Sequence, residues 1–184
     1  ADRKHNMETL EFLSEERRKR IAEETLTLYA PLAQRVGMYE LKSSLEDLSL
    51  KYLEPQVYEK LEKKMGETKV RTEEFLNKSL QKIESILSAH PISYRVSARP
   101  KNFHSVYRKM IRQNKPFEEI QDLAGIRLIT DTVEHCYALL GIIQSNFQPV
   151  ENSFTDYIAL PKNNLYQSLH STVRLSGDDI IEIQ

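Results

Sequence analysis

One cysteine, five glycines, no tryptophan and a net charge of -1 are the shortages of this 184-residue chain, and each closes off a set of functions. Cys136 alone permits neither a disulfide within the chain nor a cysteine-based metal site. Its place in an apolar helical pattern with Leu139, Leu140 and Ile143 predicts a small buried thiol. The few glycines include no GxxxxGK[ST] loop and no GxGxxG turn, so phosphate would have to be held by side chains rather than by the usual backbone-amide loops. With 29% charged residues of nearly balanced sign, no global field draws in DNA or an anionic membrane, and any anion site must be made locally. Apolar runs are too short to span a bilayer, and the opening ADRKHNMETL lacks the apolar core of a signal peptide, which predicts a cytoplasmic protein. The chain starts without an initiator Met and stops at Ile181-Glu182-Ile183-Gln184 in strand-like sequence, so an excerpt of a longer protein is expected. Its 40% hydrophobic content suffices for one sizeable domain or two small ones.

What is present divides near residues 66–91. From Asn6 to about His90 the pattern is helical, with breaks expected at Ser14, Gly37, Pro55 and Gly66. A helix over Arg17–Arg35 is predicted to bend at Pro31, with Ile21, Glu24 and Thr25, Leu28, Leu32 and Val36 on adjoining turns of one inner stripe. Leu41, Leu45, Leu48 and Tyr52 form a second stripe, Val57, Leu61 and Met65 a third, and Lys69–Ala89 reads as one more long helix. After Pro91 strands and helices alternate. Strands are predicted at Ile92–Ala98, Ala124–Thr130, Asp156–Leu160, Ser168–Leu175 and Ile180–Gln184. Helices are predicted at Phe103–Asn114 and Val133–Asn146, with a polar loop over Gln148–Thr155. The expected class is α+β: an all-helical N-terminal segment followed by a mixed sheet flanked by helices.

The stretch SARPKNFHSVYRKM concentrates the candidate chemistry. Phe103, Val106, Tyr107, Met110 and Ile111 mark one apolar helix face, which leaves Ser105, Arg108, Lys109 and Arg112 on the other. Arg99 and Lys101 precede the helix N-terminus, where free amides and the macrodipole favour an anion. A basic helix face is more often solvated surface, so a polyphosphate cradle stands beside that plainer reading. Further candidates are Arg127, Lys162, His170 and Arg174. Alternation puts Leu169, Val173 and Leu175 on one face of their strand and His170, Thr172 and Arg174 on the other. Glu182 then shares a polar surface with His170 across the last hairpin. Asp122, at the start of the central strand, and Glu182 are the pair of carboxylates that a Mg²⁺ ion on a triphosphate would use. Tyr166, following a polar loop, suits stacking on a purine or a structural role equally.

Read together, these motifs resemble the RelA/SpoT homologue family, which makes and breaks the alarmones pppGpp and ppGpp in the stringent response. RPKNFHSVYRKM is similar to the family's R-x-K-x-x-x-S-x-x-x-K segment, FEEIQDLAGIRLI to D-x-x-x-x-R, DYIALPKNNLYQSLHSTV to Y-Q-S-x-H, and IIEIQ to the closing E-x-Q strand. ADRKHNMETL resembles the last metal-site motif of the hydrolase half. The division implied is 1–66 as hydrolase tail and linker helices, and 67–184 as a synthetase domain with a nucleotidyltransferase-like sheet.

The resemblance implies a GTP pyrophosphokinase that moves the β,γ-pyrophosphate of ATP to the 3′-hydroxyl of GDP or GTP. Arg99 and Arg127 would sandwich adenine, while Lys101, Ser105 and Lys109 would hold the donor phosphates. Asp122 and Glu182 would bind Mg²⁺ and serve catalysis. Tyr166 would stack on guanine beside Asn164, with Lys162 and His170 on the acceptor phosphates. Asp2 matches a hydrolase Mn²⁺ ligand and Asn6 a nucleotide contact, but the other ligands lie upstream, so Mn²⁺ belongs only to a complete hydrolase domain. Contacts to ribosomes or regulatory domains would run through missing regions. The sequence departs from the family at Leu165 and Ala98, both usually Gly, and at Ser153-Phe154-Thr155-Asp156, which is neither the basic nor the acidic variant of its motif. These departures leave an alternative: a catalytically weak guanine-nucleotide-binding module that controls an absent hydrolase half.

Overall fold

A computed structural model describes residues 2–120, 123–162, 166–177 and 179–184. They pack as two units, Ala1–Glu67 with Asn102–Ile120, and Thr68–Lys101 with Gln121–Gln184. The helical segment and the mixed sheet of the expected α+β class are both present. No helix among the described residues is long and apolar enough to cross a membrane.

The first unit is helical: α1 (Asp2–Glu8), α2 (Glu15–Glu24), α3 (Ala30–Arg35), α4 (Tyr39–Leu53), the start of α5 (Pro55–Leu87) and α6 (Phe103–Gln113). Met7, Leu10, Ala22, Ala30 and Leu45 form its core. The helix expected over Arg17–Arg35 is interrupted by a π turn at Thr25–Tyr29. Pro31 lacks an N–H and its ring crowds the carbonyl four residues back, and a wider turn just before it relieves both problems. That turn inserts one residue into the periodicity. Buried positions therefore run Ala22, Thr25, Ala30 and Ala33, whereas Leu28, Leu32 and Val36, expected inside, are more than half exposed. Gly37 ends α3 with φ +76°, a conformation that penalises a Cβ, and Pro55 opens α5 where its missing N–H costs nothing. The break expected at Gly66 is absent. Its neighbours are good helix formers, and one glycine costs only about 1 kcal/mol against alanine.

In the second unit the sheet runs in the order β1 (Tyr94–Pro100), β2 (Ala124–Thr130), β6 (Asp179–Ile183), β5 (Leu169–Ser176), β3 (Gln148–Pro149), with β4 (Thr155–Asp156) also paired to β5. Among the described residues only β2 and β6 pair in parallel. Leu76, Ile83 and Leu87 of α5 join Leu139 and Ile143 of α7 (Val133–Asn146) and Ala124, Ile126, Val173, Leu175, Ile181 and Ile183 of the sheet in one buried cluster. Burial alternates along β5 as the apolar pattern requires. Two details correct the sequence reading. The strand expected over Asp156–Leu160 stops at Asp156, because its carboxylate accepts from the amides of Ile158 and Ala159 at 2.9 and 2.8 Å and turns the chain. Within the expected loop, Gln148–Pro149 pairs with Val173–Arg174 as β3.

Candidate active site

The core-facing residues of β2, β5 and β6 leave the opposite sheet face to polar groups, and there the second unit gathers most of the candidates. Arg99 and Arg127 come from neighbouring strands, β1 and β2. Both donate to the Gln184 side-chain carbonyl, Arg99 Nη1 at 2.8 Å and Arg127 Nη2 at 3.2 Å. Gln184 Nε2 in turn donates to Glu182 Oε2 at 3.2 Å. Lys101 Nζ lies 3.1 Å from the same carboxylate oxygen, and its backbone N–H is fixed on the Leu123 carbonyl at 2.9 Å. Across the β5–β6 hairpin His170 Nδ1 is 3.4 Å from Glu182 Oε1, while its Nε2 is 2.9 Å from the Tyr166 hydroxyl. The polar surface expected between His170 and Glu182 exists, and it extends unbroken from Arg99 to Tyr166.

Glu182 is the centre of this chain and is about four-fifths buried. Burial is the largest influence on its carboxyl and by itself would raise the pKa. The His170 hydrogen bond, the Lys101 charge and hydrogen bond, and the His170 charge together outweigh it and hold Glu182 well below the usual carboxylate range. Its ionised hard-oxygen donor fits a divalent cation. Asp122, its expected partner, lies outside the described residues, as do Asn164 and Leu165. Among the described residues no cluster of three or more His, Cys, Asp or Glu side chains forms a metal site.

Beside Tyr166 and His170 lies Tyr157, a group that sequence reasoning missed. Lys162 Nζ sits 4.1 Å from its ring centroid and 5.1 Å from that of Tyr166, and Tyr157 meets His170 edge-on at 5.2 Å. Gln184 was also missed as a site residue, although its place two residues beyond Glu182 put it on the same face. Asp156, from the variant motif, accepts a hydrogen bond from the Tyr137 hydroxyl at 2.8 Å.

Ser105 and Lys109 lie on α6 in the helical unit, both half-buried. The stripe of α6 is only partly as expected: Val106 is fully buried, but Ile111 is 62% exposed and His104 is buried in its place. The first turn is occupied by a carboxylate of the protein itself. Asp47 Oδ1 on α4 accepts from the His104 amide and from Asn102 Nδ2, each at 2.9 Å. Burial raises the Asp47 pKa to about 6 against the opposing bonds from His104, Phe103 and Asn102, and the Glu46 charge adds to the rise. Asp2 and Asn6 of the hydrolase-like segment are exposed and 3.4 Å apart on α1, and one carboxylate does not make a Mn²⁺ site.

The raised pKa of Asp47 predicts a pH-dependent stability. A carboxyl whose folded pKa exceeds its unfolded value binds more protons when folded, so its contribution declines as pH rises from about 4 to about 6 and is flat above. Glu46 and Lys42 on α4, His104 and Arg108 on α6 and Tyr58 on α5 share this environment. Asp47→Asn, which keeps an acceptor and removes the charge, is expected to raise Tm at pH 7.5. The gain, about 1–2 kcal/mol after allowance for partial exposure, should shrink toward zero at pH 4.5. Thermal melts of both proteins across that range measure it.

A half-buried sheet face that joins two guanidinium groups, an ammonium group, an imidazole and an ionised carboxylate suits a polyanion accompanied by a cation. Residues 98–184 match the family described as "Region found in RelA / SpoT proteins", and residues 1–39 match the HD domain family. The chain belongs to the RelA/SpoT family. Over its whole length it is 44% identical to a Streptomyces coelicolor protein named GTP pyrophosphokinase, and it spans 22% of that protein. It is 43% identical to the Aquifex aeolicus guanosine-3′,5′-bis(diphosphate) 3′-pyrophosphohydrolase, of which it spans 27%, and 43% identical to the Mycobacterium tuberculosis bifunctional (p)ppGpp synthase/hydrolase RelA, of which it spans 25%. Among solved structures, the small alarmone synthetase 1 from Bacillus subtilis bound to its product pppGpp is 27% identical, aligned over 68% of this chain and 72% of that one, with a TM-score of 0.47.

Proposed function

We propose that this chain is the core of a cytoplasmic (p)ppGpp synthetase that transfers the β,γ-pyrophosphate of ATP to the 3′-hydroxyl of GDP or GTP, with residues 67–184 as the nucleotidyltransferase-like domain and 1–66 as hydrolase tail and linker. The observation that carries the reading is the continuous polar chain from Arg99 and Arg127 through Gln184 and Glu182 to His170 and Tyr166. Relatives named both for synthesis and for hydrolysis of the alarmone support the substrate class.

In this reading the acceptor 3′-oxygen attacks the β-phosphorus of ATP in line, the α–β phosphoanhydride breaks, AMP leaves with the bond's electron pair on its α-phosphate oxygen, and the hydroxyl proton passes to solvent water. Arg99 and Arg127, held by one acceptor on Gln184, flank adenine. Lys101, Ser105 and Lys109 take the donor phosphates, and Lys101 brings its charge to them from the Glu182 carboxylate. Tyr166, with its hydroxyl fixed on His170, presents a ring to guanine, a base that Asn164 would also serve. Lys162 and His170 serve the acceptor phosphates. Asp122 and Glu182 would hold Mg²⁺, which would supply charge neutralisation along the triphosphate. Glu182, kept ionised by its neighbours, is suited to ligating and orienting rather than to retaining a proton.

Incubation of the protein with ATP, GDP and Mg²⁺, followed by chromatography of the nucleotides, is expected to yield AMP and pyrophosphorylated guanosine in equal amounts. Folded protein that binds both nucleotides and releases neither product would favour the regulatory-module alternative and overturn the enzyme reading.

A further inference from the structure

We infer that Asp47 is a positioning residue for the donor-phosphate groups: its carboxylate, rather than the helix's own N-cap, fixes the first turn of α6, which carries Ser105 and, one turn on, Lys109. The inference rests on the assignment of those two residues to ATP in the proposed function.

Asn102 occupies the N-cap position of α6 with extended backbone, where an asparagine ordinarily accepts from an amide of the first turn through its own side-chain oxygen. No such bond is present. The Asn102 amide is instead turned toward α4, donating to Asp47 Oδ1 at 2.9 Å and lying 3.4 Å from both the Ser43 carbonyl and Glu46 Oε2. The capping position is filled by Asp47 Oδ1, which takes the His104 N–H from 57 residues upstream. One oxygen thus ties down both the N-cap side chain and the first-turn amide.

Neighbouring contacts remove the remaining freedom. The Phe103 ring meets Tyr58 edge-on at 5.1 Å, Val106 is fully buried, and the buried His104 lies with Nδ1 3.7 Å from Glu46 Oε1, which Lys42 pairs at 2.9 Å. These groups hold the α6 face turned toward α4, leaving Ser105 and Lys109 half-buried beside it. A self-capping Asn102 would need no buried carboxylate. The arrangement present links the phosphate-bearing helix to α4 at the expense of burying a charge, which points to geometry rather than stability as its benefit.

Asp47→Ala and Asp47→Asn test this through the constants for each nucleotide. Removing the cap in Asp47→Ala is expected to raise KM for ATP, and Kd for α,β-methylene ATP, by about tenfold while KM for GDP stays within about twofold. Asp47→Asn, which retains the acceptor, is expected to stay within about threefold of the wild type for both nucleotides. Should Asp47→Ala fail to fold, Asp47→Glu, which displaces the carboxylate by one methylene, must show the same selective loss of ATP affinity. Unchanged α,β-methylene ATP binding in Asp47→Ala, parallel rises for ATP and GDP, or equal damage in Asp47→Asn and Asp47→Ala would each overturn the assignment. Wild-type protein that binds no α,β-methylene ATP would overturn the proposed function along with it. Wild-type binding with Asp47→Ala unaffected overturns the assignment alone.

Discussion

Glu182→Gln is expected to reduce pyrophosphate transfer by about a thousandfold while ATP and GDP binding fall by much less. Glutamine keeps the shape and an oxygen that can accept from Lys101, so the sheet and its hairpin should persist. What disappears is the negative charge that Lys101 and His170 hold ionised from 3.1 and 3.4 Å. A neutral amide is a poor ligand for a hard cation and removes the ion pair with Lys101. The sign of the accompanying stability change follows from the lowered pKa. A carboxylate with a depressed folded pKa contributes stability that is fully present above its unfolded pKa and is lost progressively as pH falls from there through the folded value. Glu182→Gln should therefore lower Tm near neutral pH, and the difference from wild type should narrow in acid. Single-turnover assays with saturating nucleotide, read beside melts at pH 7.5 and pH 2.5, separate the two effects. Transfer within tenfold of wild type would remove Glu182 from the catalytic machinery.

The two ends of the polar chain were legible in sequence for different reasons. The period-2 pattern of LHSTVRLS and DIIEIQ sets which side chains share a face, and from it His170 and Glu182 were expected on one polar surface; their contact is diagonal, since Glu182 is in register with Thr172. Gln184 was visible on the same face, but nothing local says that one amide will receive both Arg99 and Arg127, since that depends on the β1–β2–β6 order. Tyr157 escaped because it lies just beyond β4, where Asp156 bends the chain and alternation no longer predicts direction. In the helical unit, the shift from Leu28 and Leu32 to Ala30 and Ala33 came from a single π turn, which a fixed helical period cannot represent. Asp47 was hidden for the opposite reason. Its partners are 55 and 57 residues away, and Asn102 already offered a plausible local cap.

Gly125→Val is expected to damage both stability and transfer, because Gly125 is the point at which the two halves of the polar face touch. Its Cα is in register with Arg99 on β1 and with Glu182 on β6. Flanking Ala124 and Ile126 belong to the core cluster, so a side chain at 125 would rise from the polar face. A Cβ there would stand 3.1 Å from the Glu182 carbonyl oxygen and 3.8 Å from its Cβ. The opposing group is backbone and cannot swing aside, so β6 must move away by a few tenths of an ångström, and the branched γ-carbons of valine demand more. Such a shift strains the adjoining bonds from Leu128 N to Gln184 O at 2.8 Å and from Gln184 N to Ile126 O at 2.9 Å. It carries Glu182 away from Lys101 and Gln184 away from the two arginines. Overpacking of this kind costs about 1–3 kcal/mol, a Tm loss of about 2–12 °C for a chain of this size, with transfer falling by at least about tenfold. Gly66 supplies the contrasting case within the same chain. It lies inside α5 with nothing within 4 Å of an added Cβ, so Gly66→Ala should raise Tm through the ordinary helix preference of alanine. A Gly125→Val protein that melts and turns over like wild type would show that the parallel β2–β6 pairing does not set the position of Glu182.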